Sequence, residues 1–217
     1  MSGRRKRSLE ERPLEATEAD APLEATEAAA PRWLLCTGQP GCGKTTLVRA
    51  VVEELTRLNI PVRGFYTEEV LDANGGRKGF DVVTVPFGRR AVLSRKSGLP
   101  ASYAKTGAYS VDVTSFEECA LPTIAVPDAG EIIIIDEVGR MELHSIAFQA
   151  AVRKLLVSQT RVVGAITAPI YGHRVPFCDE VVAQPQVRVV EKLTQKTRDR
   201  VREEMLREAL ALARKPV

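Results

Sequence analysis

Gly38, Gln39, Pro40, Gly41, Cys42, Gly43, Lys44 and Thr45 spell G-x-x-x-x-G-K-[ST], a spacing suited to holding a chain of phosphates. Triphosphate oxygens are approached by several backbone N–H groups at once. A side chain at Gly38, Gly41 or Gly43 would obstruct that approach or forbid the dihedrals it needs. A helix opening near Lys44 adds unpaired N–H groups and the positive end of its dipole. Lys44 then reaches the β and γ phosphates as a catalytic point charge, and the Thr45 hydroxyl ligates Mg²⁺. Cys42 reads either as a small spacer or as an exposed thiol whose oxidation blocks phosphate binding.

A second group lies in EIIIIDEVGRMEL, residues 131–143. Four consecutive isoleucines belong in the centre of a parallel sheet covered on both faces. Asp136 follows at the carboxyl end, where open α/β sheets bind their ligands, and is expected to hold the Mg²⁺ shell as a Walker B aspartate. Glu137 beside it can reach a water in line with the γ-phosphate and is the expected catalytic base or water-positioning group. A second negative charge next to phosphates has an electrostatic cost that such a role explains. Arg140 can contact phosphate or pair with Glu142.

These groups need elements to position them. Residues 33–36 form a short apolar strand, and Leu47, Val48, Val51, Val52 and Leu55 recur at helical spacing after the loop. Asn59-Ile60-Pro61 stops that helix. Residues 62–70 read as a strand, Asn-Gly within 72–76 as a hairpin turn, and 79–85 as the returning strand. Further short strands are expected at 91–94 and 109–113, so the 92 residues separating Lys44 from Asp136 leave room for strands beyond a minimal fold. Glu68, Glu69, Asp81 and Asp112 are read as solvated strand-end acids. Residues 143–157 read as a helix and 161–166 as a strand. Thr167 after it either senses the γ-phosphate or caps the strand end. The irregular stretch 168–186 has the length of a lid, with His173 and Arg174 as candidates for closing over phosphate. Residues 187–190 form the last strand, and Thr194 is expected to cap a final helix with Val201, Met205, Ala209 and Leu212 on its apolar stripe.

The 217 residues suffice for one α/β domain. The first thirty stand apart, with a basic cluster at Arg4, Arg5, Lys6 and Arg7 and a nine-residue near-duplication, PLEATEADA then PLEATEAAA. Two polar copies cannot build a repeat fold, so this is expected to be a disordered tail. No apolar segment follows the basic cluster as a signal peptide requires, and the Glu-rich continuation disfavours a mitochondrial presequence. Outside the tail the basic surplus is five residues, compatible with polyphosphate binding and too small to predict nucleic acid. Cys36, Cys42, Cys119 and Cys178 show no disulfide or zinc spacing, and neither His144 nor His173 has a second histidine at ligand distance in sequence. A reducing compartment is expected, and no apolar run approaches a membrane span.

The runs GQPGCGKTTL, GFYTEEV, GFDVVT, VDVTSFE and IIIIDEVGRMEL together resemble the thermophilic and cancer-related nucleoside-triphosphatase family of P-loop enzymes. GFYTEEV and DEVGRMEL are not general P-loop features, which makes the resemblance specific; it runs from residue 33 to the last helix and omits the tail. It implies Mg²⁺-dependent hydrolysis of ATP, GTP, CTP and UTP to diphosphate and phosphate with broad base tolerance. It also implies a RecA-like sheet of the additional-strand, catalytic-glutamate division, with Glu137 as that glutamate. Gly38 through Thr45 match the family's first nucleotide segment. Ile133, Ile134, Ile135, Asp136, Glu137, Val138, Gly139 and Arg140 match the second. The lack of an N-K-x-D element for guanine agrees with weak base selection.

The expectation is a single three-layer α/β P-loop NTPase domain over 31–217, with a mostly parallel sheet and an added β-hairpin, behind a disordered tail over 1–30. Nucleoside triphosphates are the expected partners and Mg²⁺ the cofactor, with no membrane or nucleic acid. A monomer in the cytoplasm is expected, the basic cluster admitting the nucleus. Two alternatives share the P-loop. One is a nucleotide kinase, which needs an acceptor pocket and an arginine-rich lid that the sequence does not display. The other is a nucleotide-dependent switch, or an RNA- or protein-binding module, with slow intrinsic hydrolysis.

Overall fold

The apolar run before the glycine loop forms strand β1 (Trp33–Gly38), and the amphipathic segment after it forms helix α1 (Lys44–Arg57). The computed structural model describes residues 31–126, 130–169 and 173–214; the tail expected at 1–30 and Gly172 of the irregular stretch lie outside them. Asn59 ends α1 with a left-handed φ of 57°, and Ile60 N–H closes back onto Leu55 O at 2.9 Å, so the helix stops where the Asn-Ile-Pro sequence requires. The chain then runs through β2 (Val62–Leu71), β3 (Arg77–Val85), β4 (Arg90–Arg95), β5 (Lys105–Thr106), β6 (Tyr109–Val111) and α2 (Val113–Ala120). After these come β7 (Ile132–Val138), α3 (Ile146–Val157), β8 (Arg161–Thr167), α4 (Pro176–Val182), β9 (Val187–Val189) and α5 (Arg198–Arg214).

The nine strands among the described residues share one sheet, ordered β5-β6-β4-β3-β2-β7-β8-β1-β9. Strands β2, β7, β8, β1 and β9 are parallel neighbours, and β3, β4, β6 and β5 extend the β2 edge as an antiparallel ribbon. The added hairpin is the first turn of that ribbon. Its loop is held by Asp72, whose Oδ1 accepts from Asn74 N–H at 2.8 Å and Gly76 N–H at 2.9 Å, while Gly75 takes the positive φ that the turn demands.

The isoleucine run shows why a parallel centre is built this way. Ile132 and Ile134 project into the layer formed with α1 and α5, against Val48, Val51 and Met205. Ile133 and Ile135 project into the opposite layer, against Phe116, Phe148 and Val152 of α2 and α3. Alternation along the strand thus fills two cores from one apolar run, and each such side chain contributes about 1.5–3 kcal/mol by burial. Phe65, Phe116 and Phe148 meet edge-on with centroids 5.4–6.0 Å apart, locking the start of the antiparallel ribbon to the helices of that face.

Several boundaries differ from the sequence expectation. The strand at 109–113 ends at Val111, because Asp112 Oδ1 accepts from Ser115 N–H at 3.0 Å and opens α2. The helix expected from 143 begins at Ile146, after a short 3-10 turn, with Ser145 Oγ accepting from Phe148 N–H at 2.8 Å. The stretch 168–186 contains α4, started by Pro176 in its first turn. Thr194 does not cap α5; it hydrogen-bonds Thr197, whose carbonyl takes the first helical bond from Val201 N–H at 2.8 Å. No helix among the described residues is long and apolar enough to cross a membrane.

Candidate active site

Strand β1 delivers the glycine loop to the carboxyl edge of the parallel strands, and α1 carries it away. Gly41 and Gly43 have φ of 76° and 100°, a region closed to most side chains, and Gly43 is the residue from which α1 starts. Gly38 is needed for closeness instead: a Cβ there would lie 2.5 Å from Cys42 Sγ and 2.8 Å from Leu193 O. Lys44 is buried. Its Nζ donates to Gly38 O at 3.2 Å and pairs with Glu137 Oε2 at 3.2 Å. Burial opposes its charge, but Glu137 more than offsets this and holds the ammonium pKa above its ordinary value.

Asp136 and Glu137 sit at the end of β7, joined by a cis peptide bond. Asp136 is wholly buried. One oxygen accepts from Thr67 N–H at 3.4 Å, and the other, Oδ1, has no hydrogen-bond partner among the described residues. Burial, and then the Glu137 charge, push its carboxyl up to about 7, with the Thr45 hydroxyl acting in the opposite sense. An unsatisfied buried carboxylate oxygen beside a hydroxyl is the donor set of a hard divalent cation. Thr45 and Asp136 therefore fit Mg²⁺, which takes few protein ligands and completes its shell with water and phosphate. No group of three or more His, Cys, Asp or Glu that would cage a metal by protein alone occurs among the described residues.

Glu137 is a quarter exposed and is held from two sides. Thr167, at the end of β8, donates its hydroxyl to Glu137 Oε1, and Lys44 holds Oε2. Thr167 thus orients the carboxylate, a role distinct from either sequence expectation. Glu142 is buried behind them, and its carboxyl is pushed up to about 8 by burial and then by Glu137. Gly139 makes the packing possible, since a Cβ would come 2.8 Å from Glu142 Oε2 and 3.0 Å from Glu137 Cγ. Sequence reading missed this role for Glu142, because a glutamate near an expected helix start carries no signal of burial.

The remaining sequence candidates divide sharply. Pro40, Gly41, Gly43, Lys44, Thr45 and Glu137 line one cavity of about 590 Å³ with Arg77 of the ribbon. Gly139 and Arg140 line a smaller one of about 220 Å³ with Lys44, Glu137 and Glu142. Gln39 is exposed and donates to Pro169 O at 3.3 Å. Ile133, Ile134, Ile135 and Val138 are fully buried; their side chains fill the cores and position the Asp136–Glu137 pair. Arg140 does not pair with Glu142: it donates to His173 O at 2.9 Å, and its Nε is buried without a partner among the described residues. Arg174 pairs with Asp179 at 2.9 Å on the surface. The acids read as solvated are engaged: Glu68 with Arg49 and Arg90, Glu69 with Arg77, Asp81 with Arg90 and Arg95, Asp112 as a helix cap. Cys36 and Cys178 are buried thiols pushed up in pKa by burial, the latter to about 12, and are inert as nucleophiles.

Comparison with known proteins shows the family and the fold. The profile of the NTPase family matches residues 33–206. A cancer-related nucleoside-triphosphatase homolog of Bos taurus is 43% identical over 168 residues, 73% of this chain and 86% of that protein. Among solved structures, a human cancer-related nucleoside triphosphatase superposes with a TM-score of 0.70 at 38% identity, covering 84% of this chain and 98% of its own. THEP1 from the hyperthermophile Aquifex aeolicus superposes with a TM-score of 0.67 at 33% identity, covering 82% and 98%. With the glycine loop, the buried Asp136 and the paired Glu137 in place on a matching fold, the chain belongs to this NTPase family.

Proposed function

We propose that this protein hydrolyses nucleoside triphosphates to diphosphate and phosphate in a Mg²⁺-dependent reaction with broad tolerance of the base. The observation that carries the reading is the Lys44–Glu137 pair at 3.2 Å, next to the unsatisfied Asp136 oxygen. The loop amides and Lys44 bind the β and γ phosphates. A γ-phosphate competes with Glu137 for the Lys44 ammonium, and a carboxylate so released accepts a hydrogen bond from water while Thr167 fixes its direction. Glu137 then takes the proton as water attacks phosphorus and the β–γ bridging bond breaks. Thr45 and Asp136 would hold Mg²⁺, whose bound charge neutralises the β and γ oxygens. Burial of Asp136 favours its protonated form, so the residue would give up that proton to a bound cation, and binding would be favoured by rising pH through about 7.

The test is γ-phosphate release from ATP, GTP, CTP and UTP, with and without Mg²⁺. Turnover of all four that stops on chelation supports the proposal. Label passing from the γ-phosphate to a second nucleotide would indicate a kinase. Tight binding without turnover would indicate a switch.

A further inference from the structure

Two of the cavities that open onto the glycine loop share Gly41, Gly43, Thr46 and Arg49, one on the flank of β2 and β3 and the other on the flank of α5. One, described above, contains Lys44, Thr45 and Glu137. The other, of about 560 Å³, lies between α1 and the start of α5 and is lined also by Leu193, Arg198, Asp199 and Arg202. A triphosphate has two ends. On the hydrolase reading Lys44, Thr45 and Glu137 take the γ end in the first cavity, which leaves the α5 side for the nucleoside end.

That flank is preformed. Leu193 N–H donates to Thr37 O at 2.8 Å, and Leu193 bridges Gly38, seating the loop before α5 directly against the glycine loop. Thr197 Oγ1 donates to Lys192 O at 2.8 Å and accepts from Thr194 N–H at 2.9 Å, which fixes the first turn of α5. Arg198 and Arg202 are one helical turn apart on that turn. Neither has an ion-pair partner among the described residues, although neighbouring Arg188 and Arg200 each do. The cavity volume falls within the range of small-molecule sites.

We infer that Arg198 and Arg202 form the nucleoside subsite, stacking their guanidinium planes on the base with Leu193 as the apolar floor. The inference rests on the hydrolase reading only for which end of the triphosphate enters which cavity. A guanidinium plane meets the π face that every base possesses, so this subsite gives affinity without selecting a base. It supplies a physical cause for broad base tolerance.

Titration calorimetry separates the ends of the substrate. The probes are β,γ-imido analogues of ATP, GTP and CTP, and inorganic tripolyphosphate, all with Mg²⁺. Arg198→Ala/Arg202→Ala is expected to weaken all three nucleotide analogues by about tenfold or more and to leave tripolyphosphate unchanged. Arg198→Lys/Arg202→Lys keeps the charges and loses the planes, and should stay nearly as weak toward nucleotides. Equal losses for tripolyphosphate, or full rescue by lysine, would mean that the arginines serve phosphate and would overturn the subsite. So would a strong preference for one analogue that vanishes in Asp199→Ala, because the carboxylate would then be reading a base edge. Wild-type binding without turnover removes the hydrolase reading and leaves the subsite intact if the pattern above holds; binding of neither probe class removes both.

Discussion

Asp81 and Asp136 are both buried in the same sheet, 8% and 0% exposed, and their surroundings are opposite. Asp81 lies in the antiparallel ribbon on β3 and is clasped by Arg95 and, at 3.1 Å, by Arg90. Asp136 lies at the end of a parallel strand with one oxygen unpaired among the described residues and its carboxyl pushed up to about 7 by burial. The contrast extends to their neighbours. Ribbon acids Glu68 and Glu69 are matched with arginines, whereas Glu142, behind the loop, is buried and pushed up to about 8. Charges that hold a structure together are satisfied within it. Carboxyls buried without a cationic partner, as Asp136 and Glu142 are, carry a desolvation cost that folding bears.

The largest expected effect falls on the side of Asp136. Glu137→Gln should lower kcat for phosphate release by about 10³-fold or more while nucleotide still binds; unchanged turnover would remove Glu137 from the chemistry and leave the Lys44 pair as structural. Next, the two aspartates can be exchanged as probes. Asp136→Asn should cost at least about 100-fold in activity and, without Mg²⁺, raise stability to urea by about 1 kcal/mol. Asp81→Asn should do the reverse, losing about 2–4 kcal/mol of stability by removing the carboxylate from the largely buried Arg95, with Arg90 keeping Glu68 and kcat/KM little changed. If both variants behaved alike, the distinction between paired and unpaired burial would fail.

A smaller effect tests how Glu137 is aimed. Thr167→Ala should lower kcat about tenfold with KM unaffected, and Thr167→Ser should restore it; a change in KM alone would make Thr167 a substrate contact. The last effect is a slope, small at any one pH step. Glu142 releases its proton near 4.5 when unfolded and near 8 when folded, so the folded state holds the extra proton between those values. Its contribution is fully present below pH 4.5 and is lost as pH rises to about 8, at up to about 1.4 kcal/mol per pH unit. Glu142→Gln should flatten that decline in urea titrations across pH about 5–8, and an unaltered slope would place the titration elsewhere.

The parts of this protein legible in its sequence are those whose physics is local. Glycine takes the φ values at 41 and 43 without the strain that most side chains would bring, and only a strand flanked on both edges and covered on both faces can bury four consecutive isoleucines. The glycine loop and the parallel core could therefore be read from a few residues each. The short helices α2 and α4 escaped because seven or eight residues carry too little periodicity to oppose a strand or loop reading. The site's second layer was decided by tertiary structure alone. Thr167 meets Glu137 across 30 positions, Thr67 N–H meets Asp136 across 69, and Leu193 N–H meets Thr37 O from the far end of the domain. No short window of sequence encodes such contacts, because their partners become neighbours only when β8, β2 and the loop before α5 pack beside β7 and β1.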